Sequence, residues 1–353
     1  MSGGVDSSMT AYLLKEQGYE VNGVTMSLQL GLQSAAARRA QVIATKLGIP
    51  HRVVKFDSLF FRQIIEPFVA EYAQGKTPNP CINCNRHIKF GALLDATLEA
   101  GADYLATGHY ARLESHADGF HLLKGIDAAK DQSYFLYTLT QRQLRHTFFP
   151  LGHLTKTEVK KMARKIGLDA LIPSESQDIC FIPDGNCGAF VARHIPPQPG
   201  TIVDTTGRVL GQHKGLIYYT VGQRQGLGLG GRGRLYVIRL DMNANQVVVG
   251  PHEQLFSHRL RANGLSWVAG HAPNALNNIS ARIRYKSSQA AVSMHLKKDT
   301  AEVCFEQPQW GVTPGQSIVF YAGEEVLGGG VIQASELTEK YESAKASSQA
   351  VFC

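Results

Sequence analysis

The chain has 353 residues, 44% of them apolar and 18% charged, enough to fill the cores of two or three globular domains. With 36 basic against 29 acidic residues it carries a net charge of +7, a balance that suits a polyanionic partner such as nucleic acid without specifying one. No apolar run approaches the ~18 residues that a membrane helix needs and no basic-then-apolar leader is visible, so the expectation is a cytoplasmic protein with no membrane partner.

In chain order, Met1-Ser2-Gly3-Gly4-Val5-Asp6-Ser7-Ser8 reads as a glycine turn that ends a strand and opens a helix. Gly3 and Gly4 are expected at positive φ, close to a ligand, and the N–H groups of the following helix make the turn an anion cradle. The turn should follow a buried strand, so a strand or a longer natural chain is expected before Met1. Gly18 ends the first helix, Tyr19 to Met26 reads as a strand, Ser34 to Leu47 as a helix closed by Gly48, and His51 to Phe56 as a strand. Helices over Ser58 to Tyr72 and Ile88 to Ala100 and a strand over Asp103 to Ala106 complete an alternation typical of a doubly wound parallel α/β sheet. Its ligands belong at the carboxyl ends of the strands, where Gly3, Met26 and Thr107-Gly108-His109 fall.

From Thr138 the texture becomes helical, with a capping box at Thr155-Lys-Thr-Glu158, and after Pro196-Pro-Gln-Pro-Gly200 it changes to short alternating β runs. The expected division is 1–137 for the α/β domain, 138–195 for a helical extension, 196–262 for a central β module, 263–338 for a barrel-like β module, and 339–353 for a polar tail. The glycines from Gly222 to Gly233 read equally as a flap or as β turns.

Six cysteines, at 81, 84, 180, 187, 304 and 353, in a chain too large to need staples point to thiol chemistry or a metal rather than a disulfide framework. Ala70 to Thr77 mimics a Walker loop, but Glu66 to Tyr72 reads as helix, and Pro78 and Pro80 are expected to stop any helix from starting after Thr77. The two prolines are expected to stiffen a loop that presents Cys81 and Cys84. Cys180, in Ser174-Glu-Ser-Gln-Asp-Ile-Cys180-Phe181, taken alone reads as packing. A zinc set of Cys81, Cys84 and His87 with Cys180 or Cys187 fits no standard finger spacing, and His121, His146 and His153 show no ligand spacing.

The opening resembles the SGGxDSS signature of the N-type ATP pyrophosphatases. Unlike a Walker loop it offers no Lys for the phosphates, and Asp6 is better suited to Mg²⁺. Together with Thr-Pro-Asn79-Pro80-Cys81-x-x-Cys84-Asn, Ser-Gln-Asp-Ile-Cys180-Phe and blocks at 106–111, 130–134, 220–228, 284–286 and 313–316, it resembles the tRNA-specific 2-thiouridylases that modify the wobble uridine. The resemblance implies an ATP site at Met1, Ser2, Gly3, Gly4, Val5, Asp6, Ser7, Met26 and Gly108. It further implies a persulfide on Cys180 with Cys84 as nucleophile and disulfide partner, and a target-base site at Asn79, Pro80 and Cys81. Contacts to tRNA of the Lys, Glu or Gln type are implied at His109, Lys130, Asp131, Gln132, Arg284, Tyr285 and Gln316, with a persulfide-donor protein as second partner and a monomeric state. Many members carry Asp where Cys81 stands, so Cys81, Cys84 and Cys180 as ligands of an iron–sulfur cluster is a second version of the same reaction. The Ala35-Ala36-Ala37 run replaces a more acidic stretch of the family. The rivals are another adenylating synthetase of this superfamily and a non-catalytic, metal-bearing RNA-binding protein.

Overall fold

A computed structural model describes residues 1–27, 33–168, 179–231 and 233–336; Ser174 to Asp178, Cys353 and the tail expected from 339 lie outside them. The expected α/β alternation is present at the start of the chain. A helix over Val5–Glu16 leads to the strand Gly23–Ser27, the helix Gln33–Leu47 and the strand His51–Lys55, which pairs in parallel with Gly23–Ser27. A second parallel pair joins Leu105–Ala106 to Thr147–Phe148. Met1 lies along the first pair, where its carbonyl accepts a bond from the Thr25 hydroxyl at 2.6 Å.

The largest local departure is at the cysteines, which stand on a helix and not on a loop. Asn79 is the N-cap, its side chain accepting from the Cys81 N–H at 3.2 Å, and Pro80 occupies the first turn. Proline stops a helix only from inside it; at the first position its missing N–H is one that no helical carbonyl would have bonded. The helix runs on through a π segment, Cys84–Leu93, to Leu94–Glu99. Gly91 allows the wide turn: its φ of −98° and ψ of −105° are non-helical, and an added Cβ would stand 3.1 Å from the Arg86 carbonyl oxygen five residues back.

The β modules are more extensive than the sequence suggested. Strands Val209–His213, Gly200–Asp204, Gln246–Gly250 and Tyr236–Asp241 form a sheet in that order. The glycine-rich 222–231 stretch beside it is a chain of turns tied down by the buried side chain of Leu227. Beyond it, Phe256–Trp267, Thr300–Trp310, Ala290–Lys297, Ile279–Arg282, Ser317–Ala322 and Glu325–Glu336 pair antiparallel in that order, and the last returns to the first to close a barrel. The strand Phe256–Trp267 runs across the expected boundary at 262, because its ladder to the barrel starts at Phe256 opposite Trp310.

The first domain and the barrel share a sheet. A hairpin of Ala111–His116 and Gly119–Lys124, which the sequence reading did not anticipate, lies against Glu325–Glu336, with Glu325 opposite Leu123 and the Lys124 N–H donating to the Glu324 carbonyl at 2.9 Å. One core accordingly holds Phe90, Leu94 and Leu122 of the first domain with Val319, Tyr321 and Val326 of the barrel.

Candidate active site

The cradle is built from the cradle helix, Val5–Glu16, and the two loops packed on it. Gly4 is its N-cap, and no side chain caps the helix, so its first N–H groups face outward as donors. Gly3 has the expected positive φ of 72°, and an added Cβ would meet the Ala36 carbonyl oxygen at 2.7 Å. Its small size therefore serves packing against the Gln33–Leu47 helix. Gly4 departs from expectation: its φ of −98° is extended, and a Cβ there would meet only the Ser2 hydroxyl, at 3.5 Å. What Gly4 contributes is open space. Ser2 and Ser7 hydroxyls stand 3.1 Å apart across the turn, and the Ser2 N–H donates to Ser7 Oγ at 3.0 Å. Gly108 closes the other side, where a Cβ would lie 2.8 Å from the Asp6 carbonyl carbon and 3.0 Å from the Ser7 nitrogen.

Asp6 is not a bare carboxylate. Lys156 Nζ donates to both its oxygens at 2.7 Å, and the Tyr110 hydroxyl donates to Oδ1 at 2.8 Å. Lys156 is 5% exposed and comes from the first turn of the Lys156–Lys165 helix, whose capping box at Thr155 and Glu158 is formed as expected.

From the cradle a chain of contacts leads through the loop at Gly108 and His109 to the cysteine helix. Beyond Gly108, His109 is buried, hydrogen-bonded to the Thr107 hydroxyl at 2.8 Å, and flanked by Phe90 and Phe149 with ring centroids at 5.7 and 6.0 Å. Burial, with the Lys89 charge adding to it, holds His109 well below the usual histidine range, so it is neutral. Phe90 stands on the same helix as Cys81 and Cys84, and Met26 packs into the apolar cluster of Cys84, Ile88, Phe181 and Ile182.

Cys81, Cys84 and Cys180 are free thiols. Cys84 is buried; desolvation pushes it up to about 12, Lys89 opposes this, and the Cys180 and Cys81 thiols add to it. Cys180 keeps an exposed face, yet desolvation of its sulfur and the neighbouring Cys81 raise its pKa, again against Lys89. Desolvation raises Cys81 as well. The three thiols and His109 therefore all feel Lys89, a residue the sequence reading passed over; in a π segment positions five apart fall on one face, which puts Cys84 and Lys89 together. Among the described residues no three His, Cys, Asp or Glu side chains stand as a group able to hold a metal ion.

Of the remaining expected contacts, Asp131 and Gln316 bond across the seam between the first domain and the barrel. Asp131, 2% exposed, pairs with Arg282 at 2.9 Å and accepts the Gly125 and Ser133 N–H groups. Gln132 accepts the Tyr110 N–H at 3.1 Å, and the Lys130 N–H donates to the Asp127 carbonyl at 2.9 Å. Tyr285 packs on Phe135 at 4.5 Å between centroids, and the Arg284 guanidinium sits 4.7 Å over the Trp310 ring. Gln316 donates to the Thr77 carbonyl at 2.7 Å, while the Thr77 N–H donates to Pro314 at 2.8 Å and its hydroxyl donates to that of Thr220 at 3.2 Å. Three domains thus meet two residues before Asn79.

Comparison with known proteins bears on this architecture. The chain matches a tRNA methyl transferase HUP domain over residues 1–184, a tRNA methyl transferase PRC-barrel domain over 188–251 and an aminomethyltransferase beta-barrel domain over 257–332. These define a three-part protein of an α/β HUP domain followed by two β modules. It is 44% identical over 348 residues to the tRNA-specific 2-thiouridylase MnmA of Halothermothrix orenii, covering 94% of this chain and 97% of the relative. It is 46% identical over 353 residues to the protein of that name from Geobacter metallireducens, covering 95% and 96%. The chain belongs to the tRNA-specific 2-thiouridylase MnmA family.

Proposed function

We propose that this chain is an ATP-dependent sulfurtransferase that replaces the C2 oxygen of the wobble uridine of tRNA with sulfur. The observation that carries the reading is that the exposed residue Cys180 is flanked by Ile179, Phe181 and Ile182, which pack in one apolar cluster with the buried Cys84, on a helix whose Phe90 contacts the His109 next to Gly108 of the anion cradle. The relatives' name, 2-thiouridylase, supports the chemistry.

The uridine C2 oxygen is a poor leaving group, so it first attacks the α-phosphorus of ATP, and pyrophosphate departs from the cradle. The outer sulfur of a Cys180 persulfide then attacks C2, and AMP leaves with the oxygen. Cys84 attacks the inner sulfur, which breaks the S–S bond, leaves one sulfur on C2 and gives a Cys84–Cys180 disulfide. A dithiol reductant outside this chain returns both thiols. Exposure of Cys180 suits loading by a persulfide-donor protein, whereas burial keeps Cys84 a neutral thiol until the base and persulfide are in place. The base must leave the anticodon stack to arrive there. Asn79, Pro80 and Cys81, at the start of the cysteine helix, are the residues we assign to it. Among the described residues the three cysteines do not stand as a group able to hold a metal ion, so the sulfur is assigned to a persulfide and not to an iron–sulfur cluster. A divalent cation accompanying ATP would find Asp6 as its carboxylate ligand, once Lys156 yields it. The Lys, Glu and Gln tRNAs, a cytoplasmic setting and a monomeric state complete the proposal.

The test is Cys180→Ser. Transfer of AMP to tRNA, read as tRNA-dependent pyrophosphate release, should persist, with no 2-thiouridine detected by mass spectrometry of digested tRNA. Thiolated product from that variant would overturn the assignment.

A further inference from the structure

An anion cradle made only of N–H groups and hydroxyls neutralises little of the charge on a triphosphate, and the local sequence of this one contains no Lys or Arg between Met1 and Leu14. The fold brings one from 150 residues away. Lys156 Nζ lies 2.7 Å from both Asp6 oxygens and 5.6 Å from the centre of the Tyr110 ring, almost wholly buried. Its backbone is fixed as firmly as its head group, since the Lys156 N–H donates to Asp127 Oδ2 at 2.8 Å and the Thr155 capping box anchors the turn. Asp6 itself is in the first turn of the cradle helix, on the edge of the space left open by Gly4.

We propose that Lys156 is the polyphosphate-binding cation of this site, held ready by Asp6 and handed over to the β- and γ-phosphates when ATP arrives. The inference rests on the ATP reading given above and adds a residue and a mechanism to it. The exchange is balanced in charge: the carboxylate and the phosphates compete for one ammonium, and whichever loses it needs another cation, which for Asp6 is the metal that travels with ATP. A P-loop places its lysine in the loop; here the helical extension supplies it, so the α/β core and the extension must be docked before ATP can be held.

Binding of ATP, AMP and inorganic pyrophosphate to the full chain, measured by titration calorimetry, tests this. Lys156→Met should lose about 30-fold or more in affinity for ATP and pyrophosphate while AMP stays within about threefold, and Lys156→Arg should recover most of the loss. Asp6→Asn, which removes the competing carboxylate, should bind metal-free pyrophosphate more tightly than the unaltered chain. Equal losses for ATP and AMP in Lys156→Met, or no gain for Asp6→Asn, would overturn the proposal in favour of a lysine that only holds Asp6 in place. If Lys156→Met does not fold, the Asp6→Asn measurement decides alone. Failure of the unaltered chain to bind ATP at all would instead sink the ATP reading on which it rests.

Discussion

The cradle and the thiol centre are built by opposite means. The cradle is polar and its turn is local, within residues 1–8, with backbone N–H groups and the Ser2 and Ser7 hydroxyls as donors, while Gly108 and Lys156 reach it from further along the chain. The thiol centre is apolar and assembled from afar, Cys84 on a π-distorted helix and Cys180 nearly a hundred residues later, in an environment that keeps thiols protonated. The difference teaches that the donors of the turn are set in place by local backbone geometry, whereas the thiols are held protonated by packing from distant parts of the chain.

The sharpest way to break that contrast is to remove the sulfur chemistry and leave the cradle. Cys84→Ser should lower catalytic thiolation by about a thousandfold or more while tRNA-dependent pyrophosphate release stays within a few fold, as nucleophile replacements do; parallel loss of both would mean that Cys84 is part of the cradle's support. Next is the charge that tempers the thiols. Lys89 favours the thiolates at 81, 84 and 180, so Lys89→Met should raise all three pKa values further and move the rising limb of the pH–rate profile for thiolation to higher pH. At neutral pH a loss of roughly tenfold is expected for each unit moved. An unmoved limb would show that Lys89 faces elsewhere.

Reactivity offers a third comparison within the thiol centre itself. Iodoacetamide at pH 8 should alkylate exposed Cys180 about tenfold or more faster than buried Cys84, as followed by peptide mass spectrometry. Comparable rates would mean that the helix opens readily. The seam to the barrel is tested by stability. Arg282→Met leaves the Asp131 carboxylate buried without its partner, for a loss of about 3 kcal/mol in denaturant unfolding, and Asp131→Asn in the same chain should restore part of it.

The smallest effect is expected at His121, which bonds Glu325 of the barrel at 2.6 Å and Asp118 at 3.0 Å and is raised by these carboxylates, Asp118 first. Because its folded pKa lies above the unfolded value, the contact is fully stabilising below about pH 6.5 and is lost as pH rises through the raised value. His121→Gln should therefore lower Tm at pH 6, by less than about 2 °C, and have no effect at pH 9.

What could be read in the sequence follows the same division. The cradle, the first βαβ unit and the Thr155 capping box were legible because each is decided by residues within one or two turns of each other. The helix under Cys81 was misread because Thr77-Pro78 and Asn79-Pro80 both look like a cap followed by proline, and only the fold decides that Asn79 caps the helix and Pro80 opens it. Positive φ was expected at both glycines of the turn, yet only packing against Ala36 decides which one needs it. Lys156 and Lys89 were passed over since a lysine on an amphipathic helix gives no sign of which neighbour it meets. Asp131 and Gln316, which the resemblance implies as RNA contacts, also make hydrogen bonds inside the protein, to Arg282 and Thr77, partners that no local pattern announces. The hairpin 111–124 was missed for a related reason: the edge it shares with the barrel becomes visible only after the last strand is placed.

That shared edge has a consequence for how the chain comes into being. Leu123 waits for Glu325, so during synthesis at about 5–20 residues per second the hairpin's outer edge stays unpaired for roughly 10–40 s. For that interval the first domain carries an open strand edge, the kind that joins other chains, and an unfinished core lacking Val319, Tyr321 and Val326. The first domain is thus completed by the strand Glu325–Glu336, about 200 residues further along the chain, and translation arrested before residue 325 should yield a nascent chain that needs a chaperone rather than a shorter working enzyme.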